Sequence, residues 1–317
     1  MKHARHTLDC DALPGFTAVY LRTAGDECAF IEAHTAHALP TLLAALEAQR
    51  KTPEQVRWVI VTHAHLDHAA GASALLAACP NATLVAHPRA ARHLMDPSRL
   101  VASATQVYGP ERFEKLYGTI APIASERVLI LEDGGSFELG DATLRVHHTQ
   151  GHAKHHFIIH DPALATVYTG DTFGLCYPAL QRAGRFALAT TSPTDFDARE
   201  ARKSLDQVLA LKEPSACLTH FGAVEDPEEV GRQVRAWIDR SEAWVNAAAA
   251  TDEPLEPMTR RIADALRKAI DVDTRGRGLV LTPDEWSLLA LDIDLNAQGL
   301  AFVAEKQRSG SAPVQPH

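Results

Sequence analysis

The segment that most narrows the choice of fold is VRWVIVTHAHLDHAAG, Val56 to Gly71. Its first part, Val56 to Thr62, is a short β-branched run after Pro53 and reads as a buried strand. Three histidines and an aspartate come next in the chain: His63, His65, Asp67 and His68. A strand that delivers its last residue into a tight loop leaves several side chains converging beyond the sheet edge. His63 and His65, two apart, can point the same way, while Asp67 and His68 turn toward a second position a few ångströms off. That is too many donors for one tetrahedral ion and fits half of two adjacent sites.

The missing donors should be His, Asp or Glu at other strand ends, and three places qualify. HTQGHAKHH puts His152 after a strand and a glycine, YTGDTF does the same for Asp171, and CLTHFG puts His220 after a strand and before a glycine. Glycine beside each ligand lets the backbone turn sharply. Histidine is also the unusual component overall, with 17 in the chain, concentrated between His63 and His93 and between His147 and His160.

TAVYLRTAGDECAFI, Thr17 to Ile31, predicts two short strands around a turn at Gly25 and Asp26. LPTLLAALEAQRK, with Leu39, Leu42, Leu43 and Leu46 on one side, predicts an amphipathic helix. Further strands are expected at TLVAH, RVLIL, ATLRVHH, HFIIH, ATVYTGD and ACLTH, and helices at AAGASALLAAC and PRAARHLM. YGPERFEKLYG between them is a polar and aromatic stretch without strong periodicity. Strands interspersed with helices predict an α/β architecture with a mixed sheet. From about Pro227 the chain turns to helix formers, so residues 1–226 are expected to form a catalytic domain and 227–317 a helical extension ending in a frayed tail, QRSGSAPVQPH. The last of three expected helices starts at Thr282, Pro283 and Glu285 in capping-box order. Its apolar stripe is a packing or dimer face.

The order of these motifs resembles the metallo-β-lactamase-fold superfamily of binuclear metallohydrolases, over roughly Phe16 to Gly222. The resemblance rests on H-x-H-x-D-H at His63, His65, Asp67 and His68, then His152, Asp171 and His220. It implies an αββα sandwich of two mixed β-sheets flanked by helices. It also implies that His63, His65 and His152 hold one ion, that Asp67, His68 and His220 hold a second, and that Asp171 bridges them. GHAKHHF is similar to a less characterised prokaryotic branch with glyoxalase II-like and lactamase-like relatives. Where relatives often show an aspartate, a small residue and a glycine after an early strand, this chain has FIEAHTA, with Glu32 and His34. Glu32 is expected to accept from a metal-ligand histidine and fix its tautomer. His156 is expected to contact substrate or a ligand. In a strand it and His155 would face opposite ways, so one of the two at most should face the metals.

Together these residues imply a hydrolase with two divalent ions, zinc first and iron or manganese also accommodated, since no thiolate biases the donor set. A metal-bridging hydroxide, oriented by Asp67, would attack a small ester, thioester, lactone or amide. The alternative is a di-iron redox or oxygen-handling protein on the same fold. A formal charge of −9 opposes binding to nucleic acid or an anionic membrane. The N-terminus lacks the apolar run of a secretory signal, and no later run approaches ~18 apolar residues, so the expected address is the cytoplasm. Five scattered cysteines suggest neither a disulfide framework nor a thiolate metal module. The partner expected is a small-molecule substrate, with a homodimer as the alternative to internal packing for the apolar stripe of the terminal helices.

Overall fold

Side-chain alternation along the β-runs decides where two layers of this protein meet. The structure, a computed structural model, describes residues 2–10, 13–191 and 194–310. The residues from 311 onward, most of the expected frayed tail, lie outside the described residues. Among the described residues are two mixed sheets of six strands each. The first runs, in order, β1 (His3–Asp9), β2 (Ala18–Ala24), β3 (Glu27–Ile31), β4 (Val56–Ile60), β5 (Thr83–Ala86) and β6 (Val128–Ile130). β1 to β3 pair antiparallel, and β3 to β6 pair parallel. The change follows from the connections. A two-residue turn with Gly25 at φ 56° joins β2 to β3, whereas β3 to β4 and β4 to β5 pass through helices, as parallel neighbours require.

The second sheet contains β7 (Ser136–Leu139), β8 (Ala142–Thr149), β9 (His156–Asp161), β10 (Thr166–Leu175), β11 (Ser215–His220) and β12 (Gly222–Val224), ordered from β12 to β7. β7 to β10 pair antiparallel, as do β11 and β12. β10 and β11 are neighbours linked through the helix at Ala198–Ala210, the crossover of a parallel pair. β1, β7, β12 and that helix are not expected from the sequence.

The described chain folds as two compact units. The first comprises Met1–Thr149, His155–Gly170 and Leu211–Pro227, and the second Gln150–Lys154, Asp171–Ala210 and Glu228–His317. The composition change near Pro227 coincides with one edge of the second unit, which also takes in two earlier segments.

In the first unit, period-two alternation sends Tyr20, Trp58, Ile60 and Val85 to one face of the first sheet and Val19, Leu21, Val59 and Leu84 to the other. The former pack with Phe137, Leu144, Val146, Phe157, Ile159 and Tyr168 of the second sheet. The latter pack beneath α1 (Leu39–Ala48), α2 (Leu66–Ala69), α3 (Ala72–Ala78) and α4 (Pro88–Met95), through Leu42, Leu46, Leu75 and Leu94. Each of these large side chains contributes about 1.5–3 kcal/mol by burial. The stretch without strong periodicity is helical: α5 (Ser98–Tyr108) and α6 (Pro110–Tyr117) are separated by Gly109 at φ 78°. Pro110 at the first helical position starts α6 with φ already set.

The second unit contains α7 (Ala198–Ala210), α8 (Pro227–Ala249), α9 (Leu255–Gly276), α10 (Pro283–Leu288) and α11 (Ala290–Arg308). Gly174 brings the end of β10 against Leu188 and against Val234 of α8. The capping box is present, with Thr282 Oγ1 accepting from Glu285 N at 3.3 Å and Glu285 Oε2 accepting from Thr282 N at 2.8 Å. The expected single last helix breaks at Leu289, whose ψ of −7° departs from the helical value. By length and average composition Pro283–Arg308 is apolar enough to cross a membrane, although Asp292, Asp294, Asn296 and Gln298 interrupt its apolar run. Ile293, Ala297, Leu300, Ala301 and Ala304 of α11 are buried and α11 lies along α9, so packing accounts for much of that apolarity.

Candidate metal centre

In the first unit the histidine loop is held by the loop after β3. Glu32 N donates to Ile60 O at 2.8 Å, Ala33 N to His68 O at 2.9 Å, and Gly71 N to His34 O at 2.8 Å. His65 is the N-cap residue of α2, so the single turn of that helix carries Asp67 and His68. A Cβ on Gly71 would stand 2.4 Å from Ala33 O and 2.6 Å from Thr35 O, so only glycine allows the two loops to come this close.

The departure from the relatives' aspartate-to-glycine pattern takes a definite physical form. Glu32 and His34 both adopt left-handed backbone, at φ 68° and 52°. His34 steadies this locally, its Nδ1 accepting from Thr35 N at 2.7 Å. Glu32 is 1% exposed, and its carboxylate gathers four donors. Oε1 accepts from Thr62 Oγ1 at 2.5 Å, His68 Nδ1 at 2.9 Å and Thr219 Oγ1 at 3.1 Å, while Oε2 accepts from Thr62 N at 3.1 Å.

These bonds assign tautomers. His68 spends its Nδ1 proton on Glu32, and His220 spends its own on Phe16 O at 3.1 Å, so in each neutral ring Nε2 carries a lone pair. Both Nε2 atoms face Asp67 Oδ2, at 3.6 Å from His68 and 3.3 Å from His220. The ligand atoms of Asp67, His68 and His220 lie within 4.8 Å of one another. Three acceptors aimed at a common point are stabilised by a cation, and the donor set of two imidazoles and a carboxylate suits a divalent metal. Likewise Thr62 Oγ1 donates to Glu32 and therefore accepts from His63 Nδ1 at 3.0 Å, which leaves His63 Nε2 as an acceptor 2.8 Å from His65 Nδ1. His63 and His68 are fully buried, whereas the Asp67 side chain is 45% exposed, so water reaches the group from the Asp67 side.

The second unit holds the other two expected ligands. His152 Nε2 lies 3.3 Å from Asp171 Oδ2, and both side chains are buried. The loop carrying His152 is fixed by α7: Ser204 Oγ accepts from Gln150 N at 2.9 Å and donates to Gln150 O at 2.7 Å. Gly151, at φ 100°, sits where a Cβ would be 2.2 Å from Ala201 N.

The histidine pair of GHAKHHF departs from the alternation expected of it. β9 begins only at His156, so His155 belongs to a turn and both rings approach His63, at 6.0 Å for His155 and 4.8 Å for His156. His156 is fully buried, with Nδ1 2.6 Å from Thr149 Oγ1. His155 Nδ1 accepts from Ala64 N at 3.3 Å. His87 caps α4, with Nδ1 accepting from Arg89 N at 3.0 Å; burial, then His148 and Arg89, pushes its pKa down to about 3. The rings of Tyr108 and Tyr117 pack against each other, with centroids 5.8 Å apart. The Tyr117 phenol is pushed up by burial, by Tyr108 and by the charge of Asp67, which places this aromatic pair in electrostatic reach of Asp67. Tyr177 is buried in the second unit, donating to Asp292. Thr62, which contacts His63 and Glu32, and Thr219, which donates to Glu32, carry no signal in the sequence that marks them for this role.

The family model of the metallo-beta-lactamase superfamily matches residues 13–220, and the chain belongs to that superfamily. A metallo-beta-lactamase fold-containing protein of Sulfurisphaera tokodaii is 24% identical over 228 residues, covering 70% of this chain and 78% of the relative. Among solved structures, an archaeal metallo-beta-lactamase superfamily protein from Sulfolobus tokodaii superposes with a TM-score of 0.65 at 18% identity, over 95% of this chain and 99% of that one. A metallo-beta-lactamase family protein from Thermus thermophilus gives 0.59 at 18% identity, over 98% and 96%. A subclass B3 metallo-beta-lactamase from a soil metagenome library gives 0.53 at 14% identity, over 77% and 94%. These structural likenesses establish the shared fold.

Proposed function

We propose that this protein is a metal-dependent hydrolase that holds two divalent ions and cleaves a small ester, thioester, lactone or amide. The observation that carries the reading is the convergence of Asp67, His68 and His220, whose imidazole tautomers are set by Glu32 and Phe16 O so that only acceptor atoms meet. By the family resemblance, His63, His65 and His152 would hold the other ion, with Asp171 also available as a ligand. Zinc suits the nitrogen and oxygen donors best, with iron and manganese as alternatives.

Divalent ions held there supply an acidified water and a Lewis acid for the scissile carbonyl oxygen. The remaining work falls to side chains. Asp67, the most exposed member of its group, orients the attacking water and accepts its proton. Glu32 keeps His68 from turning its N–H toward the ions. Tyr108 and Tyr117 wall the Asp67 side and select for substrates with an apolar portion.

The test is a panel of nitrophenyl ester, thioester, lactone and amide substrates, assayed with metal-stripped and zinc-reconstituted protein. Turnover of at least one class in the reconstituted protein alone is expected, with Asp67→Asn lowering kcat about 100-fold or more. Failure on every substrate while two ions are bound overturns the reaction class, and an iron chromophore in protein that zinc does not activate would move the assignment to redox chemistry.

A further inference from the structure

Thr190 makes two bonds that one hydroxyl can make in only one way. Its Oγ1 donates to Asp171 O at 2.9 Å, which uses its proton, so at 3.0 Å from His152 Nδ1 it can act only as acceptor. His152 therefore carries its proton on Nδ1 and presents Nε2, the atom that faces Asp171 Oδ2. Thr190 is itself held from far along the chain. Asn296 of α11 donates from Nδ2 to Ala189 O at 3.3 Å and accepts at Oδ1 from Thr191 N at 2.6 Å and Thr191 Oγ1 at 2.9 Å. One amide thus grips the residues on both sides of Thr190, and its orientation is fixed because Oδ1 faces an N–H and Nδ2 a carbonyl.

We infer that Thr190 is a positioning residue for the metal ligands His152 and Asp171, and that the C-terminal helix α11 supports it through Asn296. The inference rests on the metal-binding role proposed above for His152 and Asp171, and it gives the helical extension a part in the centre. It needs no contact of Thr190 or Asn296 with substrate.

The test compares wild type with Thr190→Val, Thr190→Ser and Asn296→Ala by two readouts. In metal-free protein, long-range 15N–1H NMR reports the tautomer of each imidazole. In loaded protein, competition with a chromophoric chelator reports zinc affinity. Thr190→Val, nearly isosteric, is expected to lose the Nδ1–H preference of His152 and weaken one of the two ions by ~10–100-fold, with the other unchanged. Thr190→Ser should restore both, and Asn296→Ala should show a smaller shift in the same direction. The inference is overturned if Thr190→Val keeps the tautomer and both affinities, or if Thr190→Ser is as impaired as Thr190→Val. Should wild type bind no zinc, the metal reading fails separately, and the His152 tautomer still decides the role of Thr190.

Discussion

Replacing Glu32 with alanine should destabilise the metal-free protein by about 3–5 kcal/mol, because it strands buried donors on His68, Thr62 and Thr219, each costing ~1–3 kcal/mol and not additively. Urea unfolding of wild type and variant measures this directly. Glu32→Gln separates stability from metal binding. It keeps the volume and one acceptor oxygen, so the loss of stability should be smaller, about 1–2 kcal/mol. The amide, however, brings a donor into a site lined by donors and gives His68 Nδ1–H a neutral acceptor in place of a carboxylate, so the tautomer is held less firmly. Zinc affinity should then fall ~10–100-fold. A Glu32→Gln protein that binds zinc as wild type does would show that the Glu32 to His68 bond does not set the ligand.

The second large effect is steric. Gly71 has an ordinary negative φ, so alanine there meets no backbone strain, only atoms: Ala33 O at 2.4 Å and Thr35 O at 2.6 Å, both main-chain. Neither can swing aside as a side chain could. The loop that begins with Glu32 must shift, and Gly71→Ala is expected to cost more than about 3 kcal/mol and to weaken metal binding with it. Gly109 provides the contrast. At φ 78° and ψ 153°, an extended conformation nearly confined to glycine, and with open space around its Cβ direction, Gly109→Ala suffers only backbone strain of about 1–3 kcal/mol. If chemical unfolding places Gly71→Ala above Gly109→Ala in stability, the close approach of the two loops is not as described.

The sequence displays its chemistry-bearing residues better than the groups that aim them. His63, His65, Asp67 and His68 stand out because a β-branched run leading straight into crowded metal donors is hard to account for except as a metal loop, and His152, Asp171 and His220 each sit beside a glycine at a strand end. The strands between Ala18 and Ile60 are legible for similarly local reasons, a two-residue glycine turn and a continuous apolar run. β1, with the pattern HARHTLD, carries polar side chains on both faces and is specified by pairing with β2, so no periodicity betrays it. α7 has the helical spacing but is dominated by charged residues that its buried Leu205 and Val208 do not offset in composition. The orienting hydroxyls are the least legible. Threonine in a strand is ordinary, and Thr62, Thr190 and Thr219 acquire their roles only from partners brought near by the fold, as Asn296 does across more than a hundred residues to Thr191. His155 escapes the strand rule because it stands just outside its strand, where alternation no longer dictates the direction of a side chain.

Elemental analysis of the purified protein after zinc loading and gel filtration tests the convergence of these ligands most directly, with His68→Ala and His152→Ala beside wild type. Two ions per chain in wild type and one in each variant is the expected result. Wild-type protein that retains fewer than about 0.1 ion per chain would contradict it, since lone pairs gathered in this way would then have been stabilised by something other than a metal.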